Sequence, residues 1–259
     1  MSNQPGANLA HMATIEIELP DGTAEAYLAR PGDDGEHPGV LFFIDAIGLR
    51  PRIEEMADRI ASWGYVVLAP NLFYRSGTAA ELAPKADLRQ PGAREEFFAT
   101  VGPRMQEITP ERTDSDTTAF LDALREQAGV GAGPFGVTGY CMGARYATRA
   151  AGTNPDRVAA VGGFHGGRLV TDDPDSPHLQ LAHARAEFVY GHADNDASMP
   201  PEAADALAAE LAAHGLVATT AIYPGAPHGY TMSDTSMYDE AGSERHFAEL
   251  EALLSRALG

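Results

Sequence analysis

Cys141 is the one cysteine of the 259 residues, and it sits in Gly139-Tyr140-Cys141-Met142-Gly143. A short apolar run, 136–138, leads into it, and a helical pattern follows from Met142 to about residue 151. This Gly-x-Cys-x-Gly pattern is the cysteine form of a nucleophile elbow. A nucleophile on so sharp a strand-to-helix bend has a strained backbone, and a glycine two residues away on either side lets neighbouring segments approach closely. A free thiol is only a few per cent thiolate at neutral pH, so it needs a base and a positive neighbour. His228, within Gly225-Ala226-Pro227-His228-Gly229, can take the proton. The helix after Cys141 turns its positive end toward the sulfur. A carboxylate must then hold the imidazole in one tautomer. Asp194 and Asp196 both compete for that place, and Asp196, four residues before Pro200, suits a loop that reaches back to the histidine. The N–H groups of Met142 and Ala46 are expected to receive the oxyanion.

Other chemistry is poorly supported by the sequence. His192, Asp194 and Asp196 lack a known ligand spacing, so no metal is expected. Gly131-Ala132-Gly133-Pro134-Phe135-Gly136 matches G-x-G-x-x-G but precedes a strand instead of following one, so it is no dinucleotide site. There is no P-loop, and no cofactor is expected. One cysteine precludes an internal disulfide and fits a reducing compartment. No run of 18 apolar residues occurs, and the N-terminus lacks the regions of a signal peptide, so a cytoplasmic location is expected. The formal charge is −19, and Lys85 is the single lysine. Such a surface repels nucleic acid and anionic membranes, leaving a small molecule as the expected partner.

The elements that must position these residues follow from periodicity. Residues 1–13 read as a flexible leader and 14–259 as a single domain. Residues 14–19 and 23–30 read as a hairpin around Pro20-Asp21-Gly22. The runs 39–44, 65–69, 136–138, 158–162, 187–190 and 217–223 read as strands, the first of them buried on both faces. Helical spacing marks a segment after Pro51 and further segments at 94–100, 114–128 and 200–213, with a last amphipathic helix carrying Phe247, Leu250, Leu253, Leu254 and Leu258. Residues 72–91 read as a loop. Alternating strands and helices imply an α/β fold, a mostly parallel sheet covered on both faces, with sites at the strands' carboxyl ends. The chain order of nucleophile, acid and histidine is that of α/β-hydrolases.

On Gly139-Tyr140-Cys141-Met142-Gly143, Asp196 and His228, the sequence from about residue 14 to 258 resembles the dienelactone hydrolase family. The likeness extends to Ile44-Asp45-Ala46-Ile47-Gly48, to Ala69-Pro70-Asn71-Leu72 and to 191–200. It implies the α/β-hydrolase fold, a cofactor-free Cys-Asp-His triad and hydrolysis of small esters or lactones. It also places at Asp45 an acid that pairs with the resting cysteine and helps to deprotonate it when substrate arrives. That acid is usually glutamate, one methylene longer. The family holds its substrate's carboxylate with arginines. Arg94 matches one of them, Phe98 stands for a nearby tyrosine, and Met232 occupies the place of the other arginine. The expectation therefore does not extend to dienelactone itself. Tyr140 and His165 are expected to contribute to substrate binding. The alternatives are a ligand-binding or redox-sensing member with an oxidisable thiol, or a thioesterase or peptidase on the same scaffold.

Overall fold

The computed structural model describes residues 11–259. Eight strands form one sheet in the order β1-β2-β4-β3-β5-β6-β7-β8. They are β1 (His11–Leu19), β2 (Gly22–Arg30), β3 (Gly39–Phe43), β4 (Val66–Pro70), β5 (Phe135–Tyr140), β6 (Val158–Phe164), β7 (Glu187–Ala193) and β8 (Ala218–Tyr223). The β1–β2 and β2–β4 pairs are antiparallel, and the remaining pairs are parallel. This is the α/β-hydrolase fold, with the expected N-terminal hairpin. Pairing begins at His11 opposite Arg30, so residues 11–13 belong to the hairpin and not to the expected leader. The rest of that leader lies outside the described residues.

The central strands are continuous apolar runs because both faces are covered. Val40, Leu41, Phe42 and Phe43 of β3 are fully buried, as are Val67, Leu68 and Ala69 of β4. Each large side chain so buried contributes roughly 1.5–3 kcal/mol. On one face lie α1 (Pro51–Ala61) and α8 (Glu240–Leu258), tied together where Arg59 meets Glu244 and stacks over Phe247. The other face carries α5 (Pro110–Arg125) and α6 (Met142–Thr153), with α7 (Pro201–Ala213) packed on β8. A 3-10 segment, Pro177–His183, follows β6.

Between β4 and α5 runs a region with three short helices, α2 (Ala79–Leu82), α3 (Ala93–Phe98) and α4 (Gly102–Gln106). Residues 72–91, expected as a loop, therefore contain a helical turn. Its start is fixed by a reciprocal cap between Thr78 and Glu81, a local bond that needs no hydrophobic period. These helices bury almost nothing; Arg94 and Phe98 of α3 and Arg104 of α4 reach the loop that follows β3 or the pocket beside it.

Candidate active site

Strand β5 delivers Cys141 to the first turn of α6. The cysteine caps that helix with φ 54° and ψ −116°, a backbone conformation that a residue with a side chain adopts only where its surroundings impose it. Two close approaches impose it here. A Cβ on Gly139 would lie 2.2 Å from the Gly143 carbonyl oxygen, and one on Gly143 would lie 2.3 Å from that of Phe43. The bend therefore depends on both glycines, and Cys141 projects above the sheet with its side chain partly exposed.

The sulfur, imidazole and carboxylate form one hydrogen-bonded line. His228 Nε2 is 3.0 Å from Cys141 Sγ, and its Nδ1 is 2.6 Å from Asp196 Oδ2. The other carboxylate oxygen of Asp196 accepts from both the N–H (2.8 Å) and the hydroxyl (2.7 Å) of Ser198. Burial alone would depress the His228 imidazole. The negative sulfur of Cys141 and the bond to Asp196 together outweigh it and push His228 up to about 10. Burial would likewise raise Asp196, but His228 and Ser198 hold it down at about 2. The arrangement thus favours the imidazolium form of His228 beside an ionised Asp196.

The neighbouring acid does different work. Asp194 accepts from the Gly225 N–H at 2.8 Å, while its own N–H donates to the Ala226 carbonyl at 2.7 Å. It staples the loop after β7 to the loop that carries His228. His192 is buried and stacked on Tyr190. The side chains of the rejected metal set therefore point to separate partners.

The pocket at the sulfur is narrow, about 20 Å³, and is lined by Asp45, Ala46, Arg94, Phe98, His165 and Met232 among others. Arg94 and Phe98 lie on α3, with the guanidinium 4.7 Å from the ring centre. His165 is fully buried, takes a positive φ of 37°, and places Nε2 2.7 Å from the Thr231 hydroxyl. Burial, reinforced by the nearby His228 and His246, holds it well below the usual histidine range, so it is neutral. Ala46, in the loop after β3, lines this pocket, and Met142 is the first residue of α6, directly after Cys141. A larger cavity of about 810 Å³ lies on the far side of α3, lined by Phe97, Glu96 and Arg104. None of the three side chains of that hydrogen-bonded line borders it.

Two expectations need correction. Tyr140 does not face the pocket. It is fully buried, stacked on Phe42 at 4.7 Å, with its hydroxyl 3.2 Å from His246 on α8. Being the last residue of β5, it follows the strand's alternation into the core, and only the next residue turns upward. Asp45, expected to pair with the resting cysteine, instead binds Arg50, with Oδ1 2.7 Å from Nη1 and Oδ2 3.0 Å from Nη2. The sulfur's partner is His228.

Sequence reasoning missed Ser198, Arg50 and Arg104. Ser198 could have been found as a hydroxyl two residues after an aspartate, a local turn pattern. Arg50 and Arg104 depend on distant partners. Arg104 Nη2 donates to the Ala46 carbonyl at 2.6 Å, holding that loop from the side of α4.

The sequence profile of the dienelactone hydrolase family matches residues 24–258. A Methylorubrum extorquens protein, provisionally named carboxymethylenebutenolidase, is 26% identical over 220 residues, covering 83% of this chain and 71% of its own. The carboxymethylenebutenolidase of Rhodococcus opacus is 25% identical over 222 residues, covering 85% and 81%. Among solved structures, one from Klebsiella pneumoniae provisionally called a dienelactone hydrolase superposes with a TM-score of 0.79 at 22% identity, covering 95% of this chain and 99% of its own. A dienelactone hydrolase-like promiscuous phosphotriesterase from metagenomic libraries gives 0.77 at 21%, covering 96% and 99%. These two likenesses show the shared fold. Among the described residues, no helix is long and apolar enough to cross a membrane. The profile match spans nearly the whole chain, and the chain belongs to the dienelactone hydrolase family.

Proposed function

We propose that this protein hydrolyses small carboxylic esters or lactones through Cys141, Asp196 and His228. The observation that carries the reading is the continuous line from Cys141 Sγ through His228 to Asp196 Oδ2, with links of 3.0 and 2.6 Å. The thiolate attacks the carbonyl carbon, forming a C–S bond and a tetrahedral oxyanion. The N–H groups of Ala46 and Met142 receive that oxyanion, and neither donates to another described residue. The imidazolium of His228 then protonates the leaving alkoxide as the C–O bond breaks. The product of this half-reaction is a thioester on Cys141. Neutral His228 next takes a proton from water, which attacks the thioester and releases the acid, returning the thiolate and imidazolium. Asp196 keeps the ring in one tautomer throughout.

Arg94, on the pocket wall beside Phe98, is the proposed contact for a polar or anionic part of the substrate, and His165 shapes the opposite wall. No metal or organic cofactor enters these steps. The curated relatives named above for carboxymethylenebutenolide support a lactone as one substrate type.

The test is a panel of small esters and lactones offered to the wild type and to Cys141→Ala. Turnover by the wild type and a fall of about 10⁶-fold in the variant are expected. Hydrolysis by the variant at the wild-type rate would exclude this mechanism.

A further inference from the structure

Arg50 stands behind the pocket wall, 6% exposed, and every one of its guanidinium N–H groups has an acceptor. Nε donates to Asp234 Oδ2 at 2.5 Å. Nη1 donates to Asp45 Oδ1 at 2.7 Å and to the Gly48 carbonyl at 2.9 Å. Nη2 meets Asp45 Oδ2 at 3.0 Å, Asp234 Oδ1 at 3.2 Å and Met232 Sδ at 3.3 Å. Two of these partners, Asp45 and Met232, line the pocket at the sulfur.

The partners belong to two different loops. Asp45 and Gly48 follow β3, and Asp45 Oδ1 also accepts from the Ile47 N–H at 3.0 Å, closing a tight turn around Ala46. Met232 and Asp234 follow His228 by a few residues on the loop after β8. Thr231 on that loop is gripped in turn by Arg52, whose Nη2 reaches its carbonyl at 2.7 Å. A planar fork facing two carboxylates fixes both distance and angle, which an ammonium could not do.

We infer that Arg50 is a positioning residue that locks the loop carrying the Ala46 N–H onto the loop carrying His228, and that by occupying both oxygens of Asp45 it leaves His228 as the base for Cys141. The inference rests on the hydrolase reading for its kinetic consequence but not for its thiol chemistry. Other charges facing this wall are Arg104, which holds the Ala46 carbonyl, Arg94 on α3, and the Asp196–His228 pair. None of them displaces Arg50 from Asp45. A displaced Ala46 loop would separate the oxyanion donor from the nucleophile, and a shift of about 1 Å in such a group lowers the rate roughly 100-fold.

The test uses the full chain and p-nitrophenyl acetate, with alkylation of Cys141 by iodoacetamide measured from acid to alkaline pH. Arg50→Met alone leaves the buried carboxylate of Asp45 unpaired, along with the part-exposed one of Asp234, and would be prone to unfold. The principal variant is therefore Arg50→Met with Asp45→Asn and Asp234→Asn, which removes all three charges together. Its kcat should fall about 100-fold with KM changed little, and Arg50→Lys should recover only part of that loss. In alkylation, His228→Gln should shift the pH profile of the thiol far more than Asp45→Asn does. A folded triple variant with wild-type kcat, Arg50→Lys indistinguishable from wild type, or an Asp45→Asn shift as large as that of His228→Gln would overturn the inference. Should Cys141→Ala retain turnover, the hydrolase reading falls instead, and the alkylation comparison still decides the role of Arg50.

Discussion

Asp196 and Asp45 both follow parallel strands at their carboxyl ends, and the molecule uses them in opposite ways. Asp196 gives one oxygen to His228 and the other to Ser198, so its charge is directed along a single line toward the sulfur. Asp45 gives both oxygens to Arg50 and one of them also to Ile47, so its charge is neutralised within the wall. A carboxylate at a strand end is thus not a catalytic group by position. What separates the two is whether a guanidinium or an imidazole completes its shell. In the proposed mechanism the first arrangement polarises a proton path, while the second ties a loop in place.

Breaking the first arrangement should have the larger effect. Asp196→Asn keeps the shape but removes the charge that fixes the tautomer of His228, and kcat for a small ester should fall about 10⁴-fold. An equal loss for Asp194→Asn would erase the distinction drawn between those two neighbours. Ser198→Ala removes one of two bonds to Asp196 Oδ1 while the Ser198 N–H remains. A bond to a charged group contributes about 1.5 kcal/mol, so roughly a tenfold fall in kcat is expected, with Ser198→Thr closer to wild type. Thermal unfolding of Ser198→Ala should change much less than its kcat.

A milder comparison sets His228 against the core histidines. His228 is held above its unfolded value of 6.5, so its contribution to stability is complete below about pH 6.5 and is lost as pH rises through about 10. Activity should lose its acid for the leaving group over that same alkaline limb. His192 and His246 run the other way. Burial depresses them to about 4 and about 3, so the unfolded chain binds more protons below pH 6.5. Their contribution is present above 6.5 and is lost as pH falls through the folded values, a change of roughly a few kcal/mol. Melting temperature should therefore decline from pH 6.5 toward 4, and replacing His192 with Phe, which fits its stack on Tyr190, should flatten that decline.

How much of this was legible in the sequence follows from how local each signal is. The elbow was readable because its two glycines, the apolar strand and the helix occupy one short stretch. The strands of the parallel sheet were readable because burial on both faces leaves no polar alternation. The Tyr140 orientation was not, since β5 is buried along its whole length and no polar alternation marks which of its side chains face the core. Arg50 was invisible for a different reason. Its partners Asp45 and Asp234 lie 5 and 184 residues away, and only the fold brings the second to it. The start of β1 at His11 depends in the same way on pairing with Arg30.

The central claim, that Cys141 carries the acyl group, is tested most directly by quenching the enzyme in acid during turnover of a slow ester and weighing the peptide that contains Cys141. The account predicts a mass increase equal to one acyl group on that peptide, formed at the rate of the alcohol burst and absent in Cys141→Ala. An alcohol burst with an unmodified Cys141 peptide would contradict it.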